Sequence, residues 1–270
     1  MAFFISAFMN TQPTSNKKVQ RAWVMYDWAN SVYSLVITST IFPVYYNSVT
    51  QGVDGSDKVS FFGWEVVNTV LYSYSISFSF LVIALLAPLL SGIADASGNK
   101  LNFMKFFVYL GSLSCISLYF FTGENLEFGI ICSVLASIGF SGSIVFYNSY
   151  LPEIAKEEEF DLLSAKGFAL GYIGSVILLV FNLVTIQYPE WFGMPSGSFA
   201  PRFAFLVTGV WWIGFAQIPF RILPNNPYKK SISTDYLWRG YREVTQVFRE
   251  LRSIPVANQF LASFFFYSMG

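Results

Sequence analysis

Long apolar stretches separated by short polar segments dominate the chain. Six of them hold about 20 mostly apolar residues, the length that a helix needs to cross a lipid bilayer. A seventh apolar stretch begins near Pro255 and is cut off at Gly270, so we expect the chain to be a fragment. The pattern predicts an all-α membrane protein with six complete spans and the start of a seventh. The six stretches are residues 23–46, 66–90, 103–122, 128–150, 167–187 and 203–223.

Composition supports a membrane protein. Hydrophobic residues make up 54% of the 270 residues and charged residues only 12%, whereas a soluble domain usually has about 25% charged residues. Phenylalanine alone occurs 30 times, which is too many for one water-soluble core of this length.

The basic residues predict the orientation. If the amino terminus is cytosolic, fourteen of the sixteen Lys and Arg residues fall in inner segments, and only Lys58 and Arg202 fall in outer loops. Basic residues concentrate on the cytosolic side of membrane proteins, and an odd number of spans would break this pattern. We therefore predict a cytosolic tail (1–22), a six-helix bundle (23–223), a basic cytosolic linker (224–254) and a truncated seventh helix (255–270).

The linker contains a candidate amphipathic helix. It begins near Asp235, and its apolar residues are spaced by three and four while most of its arginines lie off that stripe. Such a helix can lie in the membrane interface beside anionic headgroups, or it can pack on the ends of the bundle. The apolar positions are Leu237, Tyr241, Val244, Phe248 and Leu251.

Polar residues form stripes within the apolar helices. In the first span Asp27, Asn30, Ser31, Ser34 and Thr38 share one face at spacings of three and four. A polar face in lipid must point at other helices or at a watery cavity. The second span continues the pattern with Asn68, Tyr72, Ser75 and Ser79, and the fourth more loosely with Ser133, Ser137, Ser141 and Asn148.

These stripes predict a solute cavity shared by the first, second and fourth helices. Its candidate residues are Asn30, Ser31, Ser34, Thr38, Asn68 and Tyr72. The alternative is that the serines and threonines bond to their own helix carbonyls or hold helices together.

Asp27 is the clearest acidic residue within a span. It lies six residues after Arg21, about 9 Å deeper at the helical rise. A carboxylate removed from water binds a proton more readily, which suits proton coupling or gating; at a wet interface it would only cap or pair. In the fifth span Gly167, Gly171 and Gly174 predict close helix packing.

Several kinds of chemistry are disfavoured. The chain has no histidine, which excludes His-ligated metal sites and Ser-His-Asp catalysis. The acidic run at residues 157–159 with Asp161 is the best remaining metal candidate for a membrane enzyme, but charged runs in short loops are usually solvated. We expect no metal, no cofactor, no enzyme activity and no nucleic-acid partner.

The loop between the second and third spans carries a motif. It reads Gly92-Ile-Ala-Asp95-Ala-Ser-Gly98-Asn-Lys100 and resembles the signature of the major facilitator superfamily at the position where that superfamily keeps it. Gly92 permits close helix approach and Gly98 a tight turn. The resemblance implies that Gly92, Asp95, Gly98 and Lys100 form a gating loop.

Two further blocks narrow the family. Trp23-Val-Met-Tyr26-Asp27-Trp28-Ala29-Asn30-Ser31 and Asn148-Ser-Tyr-Leu-Pro152-Glu153 resemble the vacuole-effluxer family of that superfamily. The resemblance implies the amino-terminal half of a secondary transporter, which moves a small solute such as an amino acid outward by alternating access. Its partners would be the bilayer, the solute and the missing carboxy-terminal half. We expect a bacterial cell (inner) membrane.

The sequence departs from two patterns of the superfamily, which leaves proton coupling and exchange open. The fourth span lacks the arginine that proton-coupled facilitators often keep, and the fifth lacks the proline of many antiporters. Asp27 is then the obvious candidate for coupling. A non-transporting scaffold or half-transporter is the alternative function, with a membrane enzyme less favoured.

Overall fold

The structure is a computed structural model that describes residues 16–52, 55–195, 197–225, 241–242, 245–246 and 248–269. Within these ranges the side chains of residues 92–97, 265, 268 and 269 are not described. The chain divides into two units, Met1–Ile83 with Leu101–Asn225, and Ala84–Lys100 with Asn226–Gly270.

Helices form almost all of the described chain. This follows from the apolar sequence, because a helix satisfies its own backbone hydrogen bonds where water is absent. The α-helices are α1 (Lys17–Val32), α2 (Phe42–Thr50), α3 (Asn68–Ser97), α4 (Lys100–Ser117), α5 (Leu126–Ser149), α6 (Leu151–Ile154), α7 (Phe160–Gln187), α8 (Phe199–Ile222) and α9 (Pro255–Met269).

Five helices in the described part of the chain are long and apolar enough to cross a membrane. They are Asn68–Ser91, Lys100–Phe120, Leu126–Ile154, Glu157–Gln187 and Phe199–Ile222. They match the second to sixth predicted stretches, so the prediction of an all-α membrane fold is confirmed. The predicted seventh stretch also begins a helix at Pro255.

The first predicted stretch has a different form. It is helical from Lys17 to Thr50, but a π-helical segment, Tyr33–Ile41, separates α1 from α2. The Ser39 hydroxyl donates to the Ser34 carbonyl oxygen at 2.8 Å, and the Thr40 hydroxyl donates to that of Leu35 at 2.7 Å. Both bonds reach back five residues, the spacing of a π-helix, and such segments occur frequently at functional sites.

A β-hairpin occupies the loop before α3, where the sequence predicted only an outer loop. Its strands β1 (Lys58–Phe61) and β2 (Trp64–Val67) are antiparallel, with Phe61 opposite Trp64. Phe62 and Gly63 form the turn with φ angles of 48° and 83°, as in a type I′ turn. The Phe62 amide donates to Glu127 at the start of α5 at 3.2 Å, which fixes the hairpin tip.

Large aromatic side chains and close glycine contacts build the core of the first unit. Tyr26, Phe42, Phe205 and Trp212 are completely buried. α4 and α5 approach closely because a Cβ on Gly139 would lie 2.4 Å from the Gly111 backbone. Close contact at small residues is a common way for helices to associate in lipid.

Some sequence predictions fall outside the described residues. These are most of the cytosolic tail and most of the linker, including residues 226–240, which contain the start of the candidate amphipathic helix. Residues 248–252 are helical. In the second unit the Tyr241 hydroxyl donates a hydrogen bond to the Leu85 carbonyl oxygen.

Candidate functional site

A polar cavity of about 400 Å³ lies between α1 with its π-helical extension, α5 and α7. This volume falls within the range of small-molecule sites, about 300–1,000 Å³. The lining residues are Trp23, Asp27, Asn30, Ser31, Ser34, Leu35, Ser39, Phe140, Ile144, Tyr147, Asn148, Ser164, Phe168, Tyr172 and Ser175.

Asp27 is held in the cavity wall by Tyr147. The Tyr147 hydroxyl donates to Asp27 Oδ2 at 2.7 Å. Trp23 fixes Tyr147 in turn: its indole nitrogen donates to the Tyr147 carbonyl oxygen at 2.9 Å, and the two rings stack with centroids 4.4 Å apart. Hydrogen bonds and stacking between α1 and α5 therefore set the position of the carboxylate.

Glycines on α7 make room for the polar face of α1. A Cβ on Gly167 would lie 2.1 Å from Asp27 Oδ2, and one on Gly171 would lie 2.5 Å from the Ser31 hydroxyl. The predicted close packing of the fifth span is therefore present, and its partner is the first span. Because these glycines lack side chains, α7 can approach the helix that carries Asp27.

Three of the six predicted cavity residues meet here. Asn30, Ser31 and Ser34 line the cavity beside Asp27. Asn30 is only 2% exposed, and the Ser31 hydroxyl donates to its side-chain oxygen at 3.3 Å.

Thr38, Asn68 and Tyr72 lie outside this cavity's lining. The Asn68 amide donates to Asn47 at 3.0 Å and to Thr50 at 3.1 Å, while the Tyr72 hydroxyl donates to the Thr38 carbonyl oxygen at 3.3 Å. The contacts of Asn68 hold the end of α2 to the start of α3.

Two serines of the second span bond to carbonyl oxygens of their own helix, which was the alternative to a place in the cavity. Ser75 donates to the Tyr72 carbonyl oxygen at 2.7 Å and Ser79 to that of Ser75 at 2.9 Å. These are local bonds within α3, and they satisfy the hydroxyls without a cavity.

Sequence reasoning missed the contribution of α7 and the aromatic residues. Phe168 and Tyr172, one helical turn apart, line the cavity and are 65% and 70% exposed. Ser175 is 2% exposed, and its hydroxyl has no hydrogen-bond partner among the described residues. In the sequence, exposed aromatic residues of this kind look like ordinary lipid-facing positions; only the regular spacing of Phe168, Tyr172 and Ser175 along one face of the helix could have identified them.

The predicted gating loop is only partly described. Gly98 has a φ of 64°, the left-handed conformation that a glycine after a helix end adopts readily. α3 ends just before it, at Ser97, and α4 begins just after it, at Lys100. The structure describes neither the packing around Gly92 nor the side chain of Asp95.

No group of three His, Cys, Asp or Glu side chains in the described part of the chain could hold a metal ion. The acidic segment Glu157–Glu159 instead forms one turn of 3₁₀ helix before α7. Its Glu159 side chain accepts from the Gln20 amide at 3.2 Å.

Helices of membrane-spanning length around a polar cavity define this chain as a multi-pass α-helical membrane protein. It belongs to the family described as vacuole effluxer Atg22 like, whose sequence profile matches residues 15–270. No solved structure matches the chain.

Three proteins of known sequence are similar to this chain. The uncharacterized MFS-type transporter YxiO of Bacillus subtilis is 33% identical over 94% of this chain and 57% of its own length. Autophagy-related protein 22 of Coccidioides immitis is 22% identical over 97% of this chain and 58% of its own length. An uncharacterized protein of Aquifex aeolicus is 27% identical over 63% of this chain and 39% of its own length. The chain thus spans little more than half the length of the first two.

Proposed function

We propose that the protein is a secondary transporter that moves a small solute, such as an amino acid, outward by alternating access. The observation that carries the proposal is the polar cavity between α1, α5 and α7, with a carboxylate in its wall. Polar groups within membrane-spanning helices commonly mark substrate or ion pathways. The name of the Bacillus relative supports transport, and the description of the family supports efflux.

In this proposal the described bundle is one of two that rock around the solute. Transporters of this kind bind the solute between repeated bundles near the middle of the membrane, often beside interrupted helices. The π-helical segment Tyr33–Ile41 interrupts the first span beside the cavity. The additional length of the relatives leaves room for a second bundle, and the loop with Gly92, Asp95, Gly98 and Lys100 would act as a gate. The greater similarity to the Bacillus relative favours a bacterial cell membrane.

Reconstitution tests the proposed function. The full-length gene product, purified and placed in liposomes, is expected to exchange labelled amino acids against an internal pool faster than protein-free liposomes do. A panel covering small, branched, aromatic and basic amino acids keeps the test independent of one side chain. Exchange equal to that of protein-free liposomes across the whole panel would refute the proposal for amino acids.

Asp27→Asn tests the proposed coupling role. If Asp27 carries the coupled proton, we expect solute flux to depend on an imposed pH gradient in the wild type and to lose that dependence in the variant. Two titratable side chains lie on this side of the site: Tyr147 on α5 donates to the carboxylate, and Tyr26 on α1 packs against the Tyr147 ring. Asp161→Asn, the same change at an exposed position of α7, is the matched control and should behave as the wild type. An unchanged pH dependence in Asp27→Asn would remove the coupling role.

A further inference from the structure

The cavity has an unusual balance of charge. Of its fifteen described lining residues, Asp27 alone is charged at neutral pH, and none is Lys or Arg. Anionic groups are usually recognised by arginine, lysine or a set of backbone amides. The lining therefore offers a negative charge to a ligand and no positive side chain.

The carboxylate of Asp27 lacks an ionic partner. Among the described residues its side chain accepts one hydrogen bond, from Tyr147 to Oδ2, and it forms no ion pair. Moving an unpaired charge out of water costs several kcal/mol, and a ligand cation in the cavity would offset that cost. Oδ1 accepts no hydrogen bond from the residues that the structure describes, so it is available for such a contact.

Aromatic rings surround the same space. Trp23 and Tyr147 stack on the α1 and α5 side, and Phe168 and Tyr172 lie on the α7 side with most of their surface unpacked. A cation over an aromatic face is attracted by the negative charge of the ring face, most strongly over tryptophan. A carboxylate together with aromatic rings suits an ammonium group.

Hydroxyl groups on the cavity wall can accept further hydrogen bonds from a solute. The Ser175 hydroxyl is buried, lines the cavity and has no partner among the described residues. An ammonium group has three donors, and Asp27 can accept from it. Ser34 lies seven residues after Asp27, about 10 Å along the helix, so the Ser34 and Ser175 hydroxyls remain for other polar groups of the solute.

We propose that Asp27 is the solute-recognition residue of this cavity, that it binds a protonated amine, and that the site selects amine-bearing solutes over carboxylates that lack an amine. This inference rests on the proposed transport function and assigns the chemical group by which the solute is held. It gives Asp27 a direct contact with the solute, separate from any role in proton coupling.

Matched compounds test the choice of group. Leucine, 3-methylbutylamine and 4-methylpentanoate share one isobutyl side chain. Leucine carries both groups, 3-methylbutylamine the amine only and 4-methylpentanoate the carboxylate only. Tyrosine, tyramine and 3-(4-hydroxyphenyl)propionate form a second set. Binding is measured by calorimetry on the full-length protein in lipid nanodiscs, so that membrane leakage of the neutral forms does not interfere. We expect the amine-only compound of at least one set to bind at least about tenfold more tightly than its carboxylate-only partner, the scale of one hydrogen bond to a charged group.

Variants locate the group that makes the selection. Asp27→Asn should lower the affinity for the amine at least about tenfold, Asp27→Glu should restore part of it, and Asp161→Asn should leave it unchanged. If Asp27→Asn unfolds at the wild-type temperature, its lower affinity reflects lost recognition and not lost folding. Equal binding of amine-only and carboxylate-only compounds, no binding of any amine, or full amine affinity in Asp27→Asn would each overturn the inference. None of these three outcomes by itself stops solute exchange in liposomes. The exchange measurement therefore tests the transport function independently of this inference.

Discussion

Gly139→Ala is expected to lower the stability of the protein markedly. A Cβ at this position would lie 2.4 Å from the Gly111 Cα and nitrogen and 2.7 Å from the Phe107 carbonyl oxygen. These are backbone atoms that cannot rotate away, so α4 and α5 would have to separate. Forcing extra volume into a packed core typically costs about 1–3 kcal/mol, so the apparent melting temperature in detergent should fall.

Gly214→Ala is the matched control for this change. Gly214 lies on α8, and a Cβ there would meet nothing within 4 Å. Replacing a helical glycine by alanine without a clash is favourable by up to about 1 kcal/mol, so this variant should melt at or above the wild-type temperature. If Gly139→Ala and Gly214→Ala unfold at the same temperature, the close α4–α5 contact does not contribute to stability as the structure indicates.

The helices could be predicted because one strong physical constraint sets their lengths. An apolar stretch must reach across the bilayer and satisfy its backbone internally, and this is visible in composition alone. The hairpin at Lys58–Phe61 and Trp64–Val67 escaped prediction because each strand has only four residues. Its one local clue was Gly63 in the turn.

The candidate site was only partly predictable because the first span changes its helical period. Asp27, Asn30, Ser31 and Ser34 share a face at α-helical spacing, and they line the cavity as that spacing predicts. Beyond Tyr33 the wider π-helical turns rotate the face, so that the next polar lining residue after Ser34 is Ser39 rather than Thr38. Nothing in the amino-acid pattern marks this change of period.

The aromatic wall was hidden for a different reason. A Phe or Tyr in an apolar helix has the same sequence appearance whether it faces lipid, a neighbouring helix or a cavity. Only the tertiary arrangement places Phe168 and Tyr172 opposite Trp23 and Tyr147. The glycines of α7 were predicted as packing residues, but the sequence did not indicate that one of them lies against the carboxylate.

Gly167→Ala is therefore expected to impair transport with little loss of stability. A Cβ at this position would lie 2.1 Å from Asp27 Oδ2, whereas its next contacts, Asp27 Cγ and the Tyr147 hydroxyl, are both at 3.3 Å. The clashing atom is the end of a side chain that can rotate, unlike the backbone atoms beside Gly139. The helices can remain packed while the carboxylate turns away from Tyr147. In the cavity the rotated carboxylate can bond to water instead of Tyr147, so the free energy of unfolding should change little. Its position for contact with the solute is lost, and one hydrogen bond to a charged group corresponds to at least about tenfold in affinity, so we expect solute exchange in liposomes to fall at least about tenfold.

Two comparisons make this result specific to the carboxylate. Gly214→Ala introduces the same methyl group where nothing lies within 4 Å, and it should exchange solute as the wild type does. Tyr147→Phe removes the hydroxyl that donates to Asp27 at 2.7 Å without adding volume near α7. If displacement of Asp27 from this bond is the cause, Tyr147→Phe should impair exchange in the same direction as Gly167→Ala while its melting temperature stays near that of the wild type. Exchange at the wild-type rate in Gly167→Ala would show that the position of Asp27 against α7 does not matter for transport. A large fall in the melting temperature of Gly167→Ala would show that Gly167 acts through packing alone.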